Sequence, residues 1–159
     1  MDLARLRFGD WVMGIGGLAV LVVMFLDWYG IDGEFLFVSG DAELNAWQSF
    51  AVNDVILALA ALMALTAFVL TAVHPTAAVP LAISSLATVV ALLALVLVTV
   101  RLIWPPDIFT GPDFETARLT GAWLGLVTTT VLASGCLAAI RDERLPRPKH
   151  PVEPRLVQP

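Results

Sequence analysis

VPLAISSLATVVALLALVLVTV, residues 79–100, decides the fold: twenty-two residues pass without a charge. An α-helix rises about 1.5 Å per residue, so about 20 apolar residues cross a hydrocarbon core of roughly 30 Å. Backbone groups in lipid must be paired internally, which leaves a helix as the form for a run this apolar. The stretch therefore predicts a membrane-spanning helix.

Three more runs flank it. Leu119 to Ile140 is also twenty-two residues long, Val55 to Val73 is nineteen, and Trp11 to Leu26 is sixteen, all uncharged. The first reaches a spanning length when Asp27 and Trp28 join its end. No small-x-small cleavage site follows it, so it is expected to be an uncleaved helix rather than a signal peptide. The sequence thus predicts an all-α integral membrane domain over residues 1–140. Its helices are expected at about 11–28, 52–73, 79–103 and 119–140. Residues 141–159 carry Arg147-Pro148-Lys149-His150-Pro151 and are expected to form a disordered tail.

Composition agrees. Of 159 residues, 58% are hydrophobic and 14% charged, where soluble domains average about 25% charged. So few charges do not cover the surface of a soluble protein of this size. The nine basic residues are dispersed, which excludes a nucleic-acid interface. The excess of arginine over lysine suits a GC-rich bacterial genome, so the bacterial cytoplasmic membrane is the expected location.

Basic residues also set the orientation. Arg5, Arg7, Arg141, Arg144, Arg147, Lys149 and Arg155 lie on the side of the termini, and Arg101 and Arg118 on the other. Both termini are expected in the cytoplasm, with two loops outside. The tight connection His74-Pro75-Thr76-Ala77-Ala78-Val79-Pro80 makes the second and third helices antiparallel neighbours. In the first outer loop, Glu34 to Val38 predicts a short extended segment. Ser39 or Asp41 is a candidate cap for a helix that begins outside the membrane.

Three groups of residues are candidates for function. Asp27, Asp54 and Arg101 lie near the outer ends of their helices, so they form a candidate polar cluster. Asp54 complements the positive end of its helix, balances Arg101, or handles a ligand or proton, and Asp27 is the shallower alternative partner for Arg101. Ala117, Gly121, Gly125, Thr129 and Ala133 recur every four residues, a small-residue stripe that lets another helix approach closely. Trp28, Trp47, Trp104 and Trp123 map to outer helix ends and Trp11 to the inner side, as interfacial aromatics do.

No chemistry beyond these is encoded. There is one cysteine, Cys136, and both histidines, His74 and His150, map to the cytoplasmic side. No His/Cys metal cluster, thiol pair or Ser/His/Asp set can be assembled from them, and no cofactor is expected. In outline the chain resembles claudin-like tetraspan proteins. That family's first loop carries paired cysteines beside its Trp, whereas this loop has none, and no family is assigned. The expected function is that of a non-enzymatic structural or accessory subunit of a membrane or envelope assembly. Its partners would be the lipid bilayer and either a second copy or another membrane protein. A small-solute carrier or pore acting as an oligomer is the alternative. An enzyme with an outer-face site at Asp27, Asp54 and Arg101 is the third.

Overall fold

The structure is a computed structural model that describes residues 6–32, 43–49, 52–73, 78–105 and 115–144. It is mostly helical. The elements run α1 (Phe8–Val23), β1 (Asp27–Asp32), β2 (Leu44–Asn45), α2 (Ala46–Ser49), α3 (Asn53–Val73), α4 (Ala78–Ile103), β3 (Glu115–Arg118) and α5 (Thr120–Arg144). Three stretches are long and apolar enough to cross a membrane: Asn53–Val73, Leu81–Ile103 and Thr120–Asp142. The fourth apolar helix, α1, has 16 residues and measures about 24 Å.

The four helices form a ring. Both α1 and α4 pack against α3 and α5. The inside is built from small residues: Ala60, Ala64 and Ala67 of α3 and Ala87, Ala91 and Ala94 of α4 are fully buried. The outside carries large apolar side chains, among them Ile15, Leu18, Leu62, Val89 and Val96. This inversion suits lipid, where close backbone approach rather than water exclusion drives packing. Hydroxyls on the outer surface are compatible with it. Thr66, Ser85 and Thr130 each donate to the carbonyl four residues earlier, which satisfies these donors without water.

The tightest contact is between α1 and α5, which run antiparallel. A Cβ on Gly9 would strike the backbone of Ala139, one on Gly16 would lie 2.8 Å from Cα of Leu132, and one on Gly135 would strike the backbone of Met13. Glycine is required at these crossings because backbone meets backbone. At one end the Asp142 carboxylate of α5 accepts the Gly9 N–H at 3.0 Å. Asp10 accepts the Arg7 N–H at 2.9 Å. Two of the open N–H groups at the start of α1 are thereby satisfied by carboxylates, which also suit the positive end of the helix.

At the other end β1 is the centre of a three-stranded sheet of order β2-β1-β3, antiparallel throughout. Tyr29 pairs with Arg118 and Asp32 with Glu115. The sheet joins the α1–α3 and α4–α5 connections across one end of the bundle, here the sheet end.

Several sequence expectations need correction. The first helix does not reach residue 28. The Phe25 and Leu26 N–H groups bond to the carbonyls of Val22 and Val23, a tightened last turn, and Asp27 to Asp32 is a strand. The Trp28 indole folds back and donates to the Val23 carbonyl at 2.9 Å. The last helix continues past Ile140 to Arg144, and its Asp142 is held by the Gly9 N–H. The segment Glu34 to Val38, its candidate caps Ser39 and Asp41, and the tail beyond Arg144 lie outside the described residues.

Candidate functional site

The polar residues of the sheet end are positioned from three elements. Tyr29, in β1, is fully buried, and its hydroxyl donates to the Arg101 carbonyl at 3.1 Å. Arg118, the last residue of β3, turns its guanidinium onto the end of α4, where Nε donates to the Leu102 carbonyl at 2.6 Å and a terminal nitrogen to the Ile103 carbonyl at 3.2 Å. The last turn of α4 thus has its open carbonyls met by a hydroxyl and a cation, the charge its negative end favours. Burial pushes the Tyr29 hydroxyl up to about 12, against the opposing pull of Arg101 and Arg118.

The three members of the polar cluster sit in different surroundings. Asp27 is exposed at the start of β1. Asp54, second residue of α3, is 3% exposed. Its Oδ1 is buried and has no hydrogen-bond partner among the described residues, so Arg101 does not donate to it. Arg101 is half-buried beside Tyr29.

Of the stripe, Gly121, Gly125, Thr129 and Ala133 are buried and Ala117 lies in β3 opposite Gly30. The occupant of its glycine groove is the chain's own Trp28. A Cβ at Gly121 would strike the Asp27 carbonyl oxygen, and one at Gly125 would strike the Trp28 ring. Thr129 donates back to the Gly125 carbonyl at 2.6 Å.

Trp28 therefore departs from its sequence reading as an interfacial aromatic, being 1% exposed. The other four tryptophans are exposed. Trp47 packs on Phe25 with ring centroids 6.2 Å apart, and Trp11 meets Phe68 edge-on at 5.4 Å. Sequence reasoning passed over Tyr29 and Arg118. Two signals were available: Tyr29 is the single tyrosine of the chain, and Arg118 is one of two basic residues mapping to that end.

These features define a class: a predominantly helical chain of membrane type, with a small sheet closing one end of its bundle. No family model, curated protein or solved structure matches it.

Proposed function

We propose that the chain is a four-helix membrane protein of the bacterial cytoplasmic membrane with both termini in the cytoplasm. We propose further that it acts without catalysis, as an accessory subunit of a membrane or envelope assembly. The charge distribution supports the orientation, with seven of nine basic residues mapping to the ends opposite the sheet. The sheet then faces outward and offers a partner a fixed surface.

The observation that carries the subunit reading is how the buried hydroxyls are used. Thr71, Thr88 and Thr129 each donate to a carbonyl of their own helix four residues earlier. Their donors are spent within single helices, and many of the buried residues around them are alanines. A carrier or pore needs polar groups turned towards a shared path, so this use of the hydroxyls supports a packed scaffold.

The test is crosslinking in intact membranes followed by purification through a tag on the C-terminus, with solute flux in liposomes as the second arm. A stoichiometric membrane-protein partner is expected, with no flux above empty vesicles. Flux that scales with protein content would replace this reading with the carrier.

A further inference from the structure

Opposite sides of the ring differ in apolar length. On α4, exposed apolar side chains run from Leu81 to Val100 and on to Ile103 and Trp104. The part before half-buried Arg101 alone measures about 30 Å. Across the ring, the lipid face of α1 is marked off by an indole at one end and a charge at the other. Trp11, exposed in the first turns of the helix, suits headgroup level. Beside it Asp10 accepts the Arg7 N–H and Asp142 of α5 accepts the Gly9 N–H. Beyond the last turn, exposed Phe25 and Leu26 give way to exposed Asp27. From Trp11 to Leu26 the face measures about 24 Å, against a hydrocarbon core of roughly 30 Å. The helix has no means of closing that gap. Gly9, Gly16 and Gly135 lock α1 and α5 backbone to backbone, so α1 does not slide, and tilting lowers its projected length.

We propose that the α1 side of the bundle selects phospholipids with short acyl chains, so that the bilayer is thinned there while the α4 side leaves it at ordinary thickness. Lipid is the softer partner. A bilayer thins locally at modest cost, whereas moving α1 would break its glycine crossings and the Asp142 contact. Ile15, Leu18 and Val22, all exposed, supply the surface that the acyl chains meet. The selection requires α1 to cross the membrane, as in the four-helix reading above, and adds the class of lipid that it meets. A second copy seated on α1 is the competing occupant, and it would exclude lipid from this face.

The test reads lipid contact on each side separately, by tryptophan quenching in fluid vesicles. The exposed indoles are first removed as Trp11→Phe, Trp47→Phe, Trp104→Phe and Trp123→Phe, leaving buried Trp28. A single reporter is then added at mid-depth, as Leu18→Trp on α1 or Leu93→Trp on α4, both exposed positions. Brominated dioleoyl-phosphatidylcholine is the quencher, and unbrominated dimyristoleoyl- or dioleoyl-phosphatidylcholine competes with it. The dimyristoleoyl lipid is expected to relieve quenching severalfold more effectively than the dioleoyl lipid at Leu18→Trp, with no such preference at Leu93→Trp. An equal preference on both sides overturns the proposal, as does a preference for dioleoyl lipid at Leu18→Trp. Absence of quenching at Leu18→Trp overturns it too, because protein would then cover the face. If the four-Phe background does not fold, each reporter is placed in the native chain and read by difference from it. Whether α1 crosses is measured apart, by labelling cysteines on either side of it. A failed selection with α1 shown to cross overturns the lipid assignment and leaves the four-helix reading standing.

Discussion

Tyr29 shows how one side chain ties three elements together. It lies in β1, pairs across to Arg118 of β3, and hydrogen-bonds the end of α4 through its hydroxyl. Burial favours its neutral form, so its hydroxyl ionises at about 12 in the folded chain against an ordinary value of 10.0. A raised folded value means that the stabilisation is fully present below about pH 10, where both states are neutral. It is lost as pH rises towards 12, because the unfolded chain releases its proton first. Unfolding followed between pH 9 and 12 should show Tm falling in that window. Tyr29→Phe should flatten this fall, while losing about 1 kcal/mol at neutral pH with the hydrogen bond. An identical alkaline decline in the variant would place the titrating group elsewhere. The sequence marked Tyr29 only as the single tyrosine of the chain; what it ties together was not legible, because Arg101 and Arg118 lie more than seventy residues away along the chain.

At the scale of elements, α5 is where the chain's small residues matter. The repeat of Gly121, Gly125, Thr129 and Ala133 was legible as a groove, because four-residue spacing places them on one helix face. What fills the groove was not legible. Its occupant is a side chain on a strand that residues 44–45 and 115–118 return to pair with. The same non-local pairing explains why the first apolar run was read through Trp28: uncharged Trp11 to Leu26 carries no Gly or Pro near its end to stop a helix. The three long helices needed no such information, since length and apolarity alone specify them. Gly125→Ala should cost on the order of 1–3 kcal/mol by overpacking against Trp28. Pairing it with Trp28→Leu should recover part of that loss in a double-mutant cycle, read by thermal unfolding in detergent. Strict additivity would mean that the indole does not lie in the groove. Loss of an oligomer from an intact monomer would mean that a second chain competes for it.

Over the whole molecule, one arrangement accounts for the placement of charge, small residues and sheet. Many large apolar side chains face outward around the ring, alanine and glycine supply much of the inside, and the hydroxyls of Thr66, Ser85 and Thr129 bond within their own helices. Such a body is at home in a bilayer. We propose that α1, in spite of its 16 residues, crosses together with the three longer helices, which leaves both termini on one side and the sheet on the other. Its exposed apolar residues run from Phe8 past the end of the helix to Leu26, and a span somewhat short for the core is met by local thinning of the bilayer at modest cost. The most direct test places single cysteines at Asp2 and at Gly40 in a Cys136→Ala background and labels intact cells with a membrane-impermeant maleimide. Labelling of the Gly40→Cys chain from outside is expected, with the Asp2→Cys chain protected until the membrane is permeabilised. The same response at both positions, labelled or protected alike, would mean that the number of crossings is odd and that α1 lies against the membrane instead of through it.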